Sequence, residues 1–468
     1  MISASLHPET VRGQCKLRRR WFAFGFTPRT IWLLVAGLAL ALPGFFHAWW
    51  GLWMIPWDAL VLAAAFFDWL RLPSAERIAV ERSWSNAPSL ASATEIEIAV
   101  EQDGGTILEC RIVDDLPDAL VSVPATHSLR AWPRVRATLR YKVNPRERGD
   151  VTTGAVYLRY RSLLGLVDKW ARAPLEQTVR VYPVLRQGED QEIFLARGRQ
   201  IDLQLRQLRE RGLGRDFESL REYLEGDDLR NICWTATARR GQLITRRYQT
   251  ERSQAVWIVL DAGRLLQGRI LRNTDDEERR GFSKLDYACS TAVALAQLAL
   301  YSGDRVGLLV YGQHVQQRIL PGRGPAHLRQ IVEALAQARA EGSEADHLRA
   351  TATLNCWQPR RALILWITDL AETAMRPEVI DGAMQLLKRH VLLFVAMAQP
   401  DVEAIAKARP KNVEQMFRAA AAEELAMRRE LLLARLREQG ALTLDLDPDR
   451  LTSAVLNQYL RVKERAMV

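Results

Sequence analysis

Two aspartates at the ends of apolar runs have the side chains and spacing for metal chemistry. Asp261 ends the run that begins at Val256, and Asp369 ends the run from Ala362 to Thr368. Apolar strands that alternate with helices predict a parallel sheet, whose ligands bind at the carboxyl ends of its strands. Two carboxylates meeting there would suit Mg²⁺, which prefers oxygen ligands. Alternatively, each aspartate caps the helix that follows its strand.

A second candidate site is the dense run of charged and aromatic residues between positions 214 and 240. Guanidinium groups bind carboxylates in a bidentate manner, so this mixture favours fixed ion pairs. Two interpretations stay open, a buried clamp between two domains and an exposed docking surface for a partner. The residues that would carry either role are Arg221, Glu222, Asp227, Asp228, Arg230, Trp234 and Arg239.

The other reactive residues form no recognisable catalytic pattern. The 5 cysteines are scattered and never in C-x-x-C spacing, which argues against a disulfide framework and a zinc site. The 7 histidines are scattered too, and neither a nucleophile–base pair nor a phosphate-binding loop is recognised. The net charge of +10 suits an anionic membrane surface or a nucleic acid. Without a nucleic-acid motif, we expect membrane proximity and no nucleic-acid partner.

Two apolar stretches near the start of the chain predict a membrane hairpin. They run from about Ile31 to Phe46 and from about Trp49 to Leu70, and a spanning helix needs roughly 20 mostly apolar residues. The alternative is a buried helical hairpin of a soluble domain. Asp58 lies near the middle of the second stretch. An acid there is either functional or a protonated side chain bonded to the neighbouring helix.

Basic residues on both sides of the hairpin predict its orientation. Arg18, Arg19 and Arg20 precede the first stretch, Arg71 and Arg77 follow the second, and the turn has no lysine or arginine. The positive-inside rule places both flanks in the cytoplasm. We therefore expect a multi-pass membrane protein with cytoplasmic soluble domains, and membrane lipid as the partner of the hairpin.

The patterning of the chain predicts an α/β parallel-sheet domain preceded by a β-sandwich and a two-helix transmembrane hairpin. Short alternating runs are typical of half-buried strands, whereas apolar strands alternating with helices indicate an α/β domain. The same patterning predicts a helix from Lys284 to Tyr301, a strand from Leu442 to Leu446 and a last helix from Pro448 to Val462. The predicted segments are a cytoplasmic N-terminal segment (1–29), the hairpin (30–72), the β-sandwich (74–187), a charged linker (188–254), the α/β domain (255–405) and a helical C-terminal extension (406–468).

The order of these elements resembles a von Willebrand factor type A domain. More specifically, the chain resembles the bacterial family catalogued as domain of unknown function 58, over about residues 20 to 405. The stretches that carry the resemblance are LREYLEGDDLRNICWTATARRGQLITRRY in the charged run, KLDYA at Lys284 to Ala288, SGDRVGLLVYG at Ser302 to Gly312 and RRALILWITDL at Arg360 to Leu370.

The resemblance implies a protein of the bacterial inner membrane that partners a MoxR-type AAA+ ATPase in assembling or maintaining envelope proteins. No catalytic activity is established for the family, so we expect a non-enzymatic adaptor or scaffold that also contacts other proteins of a membrane complex. The alternative function is a divalent-metal-dependent hydrolase or transferase that uses Asp261 and Asp369.

The sequence lacks most of the ligands of a metal site at the sheet edge. In metal-binding domains of this type the first strand ends in Asp-x-Ser-x-Ser, and both hydroxyls are ligands. Here Gly263 and Leu265 stand at the two serine positions after Asp261, so both hydroxyls are missing. Leu370 follows Asp369 where glycine is common, and Thr351 and Thr353 are the candidates for an intervening threonine ligand. We therefore expect no cofactor, or a weak Mg²⁺ site held by the two carboxylates and water.

Overall fold

The computed structural model describes residues 10–16, 24–39, 53–120, 126–184, 216–224, 229, 232–249, 254–270, 281–370, 378–398 and 400–465. The chain divides into two compact units, residues 1–184 and 185–468. Antiparallel sheets in the first unit and a helix-covered sheet in the second make this a mixed α/β protein with several sheets, so the coarse class predicted from the sequence is confirmed.

Antiparallel strands build the first unit. They are Val11–Gln14 (β1), Phe24–Phe26 (β2), Ile78–Trp84 (β3), Thr94–Gln102 (β4), Leu108–Asp114 (β5), Thr126–Ala131 (β6), Ala137–Val143 (β7), Gly149–Thr153 (β8), Val156–Ser162 (β9), Val167–Ala173 (β10) and Gln177–Val181 (β11). One sheet has the order β1-β3-β4-β7, a second has β2-β10-β9-β5-β6, and β8 pairs with β11. Strict alternation of buried and half-buried residues along β3 shows that one face of the strand packs inward.

A buried ion pair joins the two larger sheets of this unit. Arg82 of β3 is fully buried and donates to the carboxylate of Asp114, which ends β5. The same guanidinium donates to Thr153 Oγ1 at 2.8 Å and to the carbonyl of Leu175 at 2.9 Å. The hydroxyl of Tyr141 also donates to Asp114. Because the pair is desolvated, removing either partner would leave an uncompensated buried charge.

Two helices, Pro28–Ala39 (α1) and Met54–Arg71 (α2), lie between β2 and β3 in the chain. Thr27 and Thr30 bind the turn after β9 through hydroxyl donation to the carbonyls of Gly165 and Leu166, at 2.6 Å and 2.5 Å. Asp68, near the end of α2, accepts from the Ser162 hydroxyl at 2.5 Å and from the Leu166 backbone N–H at 3.1 Å.

The structure does not support the transmembrane hairpin predicted over residues 30–72. No helix within the described residues combines the length and apolar character needed to cross a membrane. Helix α1 has 12 residues, and the 18-residue α2 contains Asp58, Asp68 and Arg71. Since Asp68 is buried in hydrogen bonds to β9 and the turn after it, the last turn of α2 belongs to the packed unit. Positions 40–52 lie outside the described residues.

A short antiparallel pair precedes the main sheet of the second unit. Asp216–Glu222 (β12) pairs with Ile244–Gln249 (β13), and the helix Trp234–Arg240 (α3) lies between them in the chain. The backbone N–H of Gly241 donates to the Thr237 carbonyl and ends the helix in a left-handed conformation, a conformation that glycine adopts without steric cost. Strand β12 and helix α3 contain most of the described part of the charged run.

The main sheet of the second unit has six strands, Ala255–Asp261 (β14), Arg305–Tyr311 (β15), Val315–Gly322 (β16), Leu363–Thr368 (β17), Val391–Met397 (β18) and Leu442–Leu446 (β19). Their order is β16-β15-β14-β17-β18-β19. All neighbours are parallel except β16, which is antiparallel to β15. The predicted parallel sheet therefore has one antiparallel edge strand, which the half-polar sequence of β16 did not reveal.

Every residue of the central strands β14, β17 and β18 is buried. The helices of this unit's α/β part are Lys284–Tyr301 (α4), Gly324–Gln337 (α5), His347–Trp357 (α6), Glu378–Leu387 (α7), Pro400–Lys407 (α8), Val413–Glu438 (α9) and Pro448–Glu464 (α10). Trp257 and Trp366 are fully buried in the core. Gly307 pairs with Trp257 across β14 and β15, and a Cβ at Gly307 would lie 2.9 Å from that indole.

The last residues of the chain are part of this core. Strand β19 extends the sheet beside β18, and α10 carries a buried tyrosine and lysine that bind Asp304, between α4 and β15. Tyr459 Oη donates to Asp304 at 2.6 Å, and Lys463 Nζ lies 3.2 Å from the same carboxylate. The strand predicted at Leu442–Leu446 and the final helix are confirmed.

Candidate functional site

Asp261 and Asp369 both lie at the carboxyl edge of the six-stranded sheet. Asp261 is the last residue of β14, and Asp369 follows β17, the parallel neighbour of β14. Only 3% of Asp261 and none of Asp369 is exposed. The sheet order therefore places the two predicted side chains on neighbouring strand ends, as a parallel sheet requires.

Two basic side chains from other elements hold the Asp369 carboxylate. Lys284, the first residue of α4, donates to Oδ2, and its side chain is 10% exposed. Arg429 of α9 donates to Oδ1 at 3.0 Å. Lysine and arginine thus supply, within the chain, the positive charge that a bound divalent cation would supply to this carboxylate.

Arg429 also connects the site to the C-terminal strand. Its guanidinium donates to both carboxylate oxygens of Asp445 in β19, at 2.7 Å and 3.1 Å, and to the carbonyl of Met397 at 2.7 Å. Burial alone would lower the pKa of Arg429, but hydrogen bonds to Asp445 and the charge of Asp369 raise it overall. Arg429 therefore ties helix α9 to the ends of two strands.

Asp261 is surrounded by neutral hydrogen-bond donors. The backbone N–H of Gly263 donates to Oδ1 at 2.7 Å, and the Thr368 hydroxyl donates to Oδ2 at 2.6 Å. Burial raises the pKa of Asp261, and the nearby charge of Asp369 acts in the same direction. Both oxygens of Asp261 are therefore already engaged by the loop that follows β14 and by the end of β17.

A buried polar chain lies below Asp261. The Trp366 indole N–H donates to the Tyr311 hydroxyl at 2.7 Å, and that hydroxyl lies 2.9 Å from Nδ1 of His347. Burial lowers the pKa of His347, while the charge of Asp261 opposes the shift. Because the Tyr311 oxygen accepts from the indole, its O–H can donate to Nδ1 of His347, and a neutral imidazole accepts that hydrogen bond. Tyr311, His347 and Trp366 are all buried, so this chain lies in the core.

The residues at the sheet edge do not fit a divalent cation. Each oxygen of Asp369 accepts from an ammonium or guanidinium group, and each oxygen of Asp261 accepts from a neutral donor. Thr351, considered from the sequence as a hydroxyl ligand, donates to two carbonyls of its own helix. No cluster of three or more His, Cys, Asp or Glu side chains occurs in the described part of the chain.

The described residues of the charged run are mostly on the surface. Glu222 and Arg239 are exposed, Arg221 is half-buried, and Trp234 is 68% exposed. Arg221 Nη1 lies 3.4 Å from the carbonyl of Glu222. The remaining candidates, Asp227, Asp228 and Arg230, lie outside the described residues.

Asp58 lies in the second turn of α2, not near the middle of a long helix, because α2 begins at Met54. A Cβ at Gly37 of α1 would lie 2.4 Å from Oδ1 of Asp58, so the two helices approach closely here. Within the described residues, that oxygen is buried without a hydrogen-bond partner. The neighbouring Trp57 donates its indole N–H to the Leu33 carbonyl at 2.9 Å.

Sequence reasoning missed Lys284 and Arg429, the two residues that hold Asp369. Lys284 belongs to KLDYA, a stretch that carries the family resemblance and for which no charge at the site is predicted. Arg429 lies in α9, 60 residues after Asp369 in the sequence. The local signal that could have suggested an ion pair with a strand-end aspartate is the lysine at the start of α4, the helix that follows β14.

The fold and the site define an α/β protein with an open, mostly parallel sheet and an internally paired aspartate at its carboxyl edge. The family described as "Protein of unknown function DUF58" matches residues 219–423. The resemblance to this family identified in the sequence is confirmed over those residues.

Two curated relatives are both described as uncharacterized. YeaD of Bacillus subtilis is 23% identical over 241 residues, which covers 50% of this chain and 55% of the relative. A protein of Mycobacterium tuberculosis is 27% identical over 198 residues, which covers 41% of this chain and 58% of the relative. The chain therefore spans little more than half the length of each relative.

The comparison with solved structures includes a conserved hypothetical protein, BatB, from Bacteroides thetaiotaomicron. It has 11% sequence identity and a TM-score of 0.28, and the alignment covers 46% of this chain and all of that chain. At that TM-score the likeness carries no conclusion about this protein.

Proposed function

We propose that this chain is a membrane-associated adaptor or scaffold that binds a MoxR-type AAA+ ATPase and catalyses no reaction itself. The observation that carries the proposal is the exposure of large apolar side chains along the charged run. Trp234 is 68% exposed, Leu229 is 67% exposed and Leu224 is 62% exposed. Monomeric proteins rarely expose contiguous apolar patches without a partner, and tryptophan is enriched at interface hot spots.

The charge around these apolar residues supports a protein partner. Arg239 and Arg240 lie in the last turn of α3 and are exposed. Charged residues at the rim of an interface steer association and select among partners. We therefore favour the docking interpretation of the charged run over the clamp, and we propose an acidic patch on the ATPase as the surface that it binds.

The finer architecture is also part of this proposal. We take the second unit as a von Willebrand type A-like domain, because aspartates end neighbouring strands of a mostly parallel sheet. The first unit is then a β-sandwich, an arrangement supported by the Arg82–Asp114 pair between its two larger sheets. We propose that the second unit presents the docking surface and that the first unit contacts the membrane.

Membrane association has its own support in the helices of the first unit. Trp32 of α1 is 72% exposed, and Leu60 and Phe67 of α2 are each 64% exposed. Apolar surface of this kind is unfavourable in water. We propose that α1 and α2 contact the lipid of the bacterial inner membrane, with the α/β unit in the cytoplasm and other proteins of a membrane complex as further partners.

A metal-dependent hydrolase or transferase has weaker support than an adaptor. Such an enzyme needs a cation with open coordination positions at the reacting bond. Asp369 is already neutralised by Lys284 and Arg429, and both oxygens of Asp261 are hydrogen-bonded. The chemistry of the sheet edge therefore favours a structural role for the two aspartates.

Crosslinking at the docking surface tests the proposal. A photoreactive phenylalanine analogue at position 234, in the full chain in native membranes, is expected to form an adduct with the ATPase. The same analogue at Met427, which is 66% exposed on α9, is the matched control and should form none. An adduct at both positions or at neither would contradict a docking surface around Trp234.

A further inference from the structure

The first unit has a basic cleft that the proposed function does not use. The cleft has a volume of 480 Å³ and lies on the outer face of the sheet that contains β5, β6, β9 and β10, with Pro28 at one wall. Four guanidinium groups and two carboxylates line it, which gives a net charge of +2. They belong to Arg111, Arg130, Arg159, Arg161, Glu109 and Asp168.

Both carboxylates of the cleft are already engaged. Asp168 accepts from Arg159 Nε at 2.9 Å and Nη2 at 2.5 Å. Glu109 accepts from Arg161 Nε at 3.0 Å and Nη2 at 2.8 Å. Hydrogen bonding from Arg161 lowers the pKa of Glu109, so this carboxyl stays ionised at neutral pH. Neither acid is left to neutralise the remaining positive charge.

Arg130 and Arg111 share that remaining charge. Arg130 Nη2 lies 3.4 Å from Glu109 Oε1. Arg111 is exposed and forms no ion pair or hydrogen bond with the described part of the chain. Across the sheet it stands in register with Arg159 on β9 and with Ser128 on β6. Like charges directly opposite each other on neighbouring strands are destabilising. An anion between the two guanidinium groups would remove this repulsion.

We infer that this cleft is a binding site for a phosphate group, held between Arg111 and Arg159 with the Ser128 hydroxyl beside it. Guanidinium groups match the geometry of phosphate oxygens and bind them in a bidentate manner. The cleft, at 480 Å³, has room for a substituent on phosphorus. A lipid headgroup and a soluble phosphate ester share this chemistry.

Calorimetric titration of the full chain with inorganic phosphate tests the chemistry of the site. Flotation with phosphatidylglycerol vesicles, against vesicles of phosphatidylcholine alone, distinguishes the lipid source from the soluble one. Arg111→Gln should weaken whichever binding is seen by about tenfold, the loss expected for one charge-assisted hydrogen bond. Arg111 is exposed, so this substitution should leave the fold intact.

Arg140→Gln is the matched control. Arg140 is a strand arginine on the other large sheet, where it pairs with Glu97 at 2.9 Å, so the substitution removes the same charge outside the cleft. Equal losses from Arg111→Gln and Arg140→Gln would show that only net charge matters and would overturn the site. Absence of binding to both inorganic phosphate and phosphatidylglycerol vesicles would also overturn it. Failure of the photoreactive residue at position 234 to crosslink to the ATPase would contradict the proposed function and would leave the phosphate site unaffected.

Discussion

Lys284 and Asp369 form a buried ion pair at the carboxyl edge of the six-stranded sheet. Arg429 donates to the other oxygen of the same carboxylate. The three residues come from the start of α4, the end of β17 and the middle of α9, so the pair connects parts of the chain that are far apart in sequence. The aspartate predicted as a metal ligand is therefore a junction between elements.

Substitution of Lys284 by methionine should destabilise the protein strongly. The variant leaves the fully buried Asp369 with one cationic partner instead of two, and breaking a buried pair costs about 3–5 kcal/mol. Urea denaturation of the full chain measures this loss. Arg428→Met is the control, because Arg428 is part of an exposed pair with Glu424 and should cost less than about 1 kcal/mol. Equal effects of the two substitutions would contradict the pairing at Asp369.

Mg²⁺ should leave the melting temperature of the protein unchanged. A ligand at 100 times its dissociation constant stabilises the folded state by about 2.7 kcal/mol. No such shift is expected, because internal donors occupy the oxygens of Asp261 and Asp369. A rise in melting temperature with Mg²⁺ that disappears in Asp261→Asn would instead establish a metal site at the sheet edge.

The buried imidazole of His390 should make the free energy of unfolding lower in mild acid than at neutral pH. It is 3% exposed, and neither ring nitrogen has a hydrogen-bond partner in the described part of the chain. Burial, with the charge of Arg389, lowers the pKa of His390 below its usual value of 6.5. The unfolded chain therefore binds a proton near pH 6.5 that the folded chain binds only at lower pH. Consequently the free energy of unfolding should fall as the pH drops below about 6.5.

The variant His390→Leu separates this contribution from others. Burial also lowers the pKa of His347, so part of the acid sensitivity should persist in the variant. Removal of the unpaired ring nitrogens should raise the free energy of unfolding by about 1 kcal/mol at pH 7. Denaturation curves at several pH values between 5 and 8 measure both effects. An unchanged pH dependence in His390→Leu would show that the pKa of His390 is the same in the folded and unfolded chains, and would contradict this prediction.

Cys356 offers a natural probe of the proposed location. It is the exposed cysteine on α6, whereas Cys15, Cys110, Cys233 and Cys289 are buried. A membrane-impermeant maleimide should leave Cys356 unlabelled in intact cells and should label it once the inner membrane is opened. Cys356→Ser, which removes the reactive thiol, is the control. Labelling of Cys356 in intact cells would contradict a cytoplasmic α/β unit.

Local patterning was sufficient for most elements of the α/β unit. The helix predicted from Lys284 to Tyr301 and the strand predicted from Leu442 to Leu446 have the bounds that the structure gives them. Both predictions rest on periodicity within a short window, where apolar residues must share one face. The same reasoning overlooked Val315–Gly322, an edge strand whose half-exposed residues lack that contrast.

Three features follow from the sequence alone: the family resemblance over residues 219–423, the strand and helix pattern of the α/β unit and the aspartate at each of two strand ends. How those aspartates are neutralised depends on tertiary packing. Local periodicity constrains a residue through its near neighbours, but the partners of a buried charge come from any element that packs against it. Arg429 meets Asp369 only because α9 packs against the sheet beside β18 and β19.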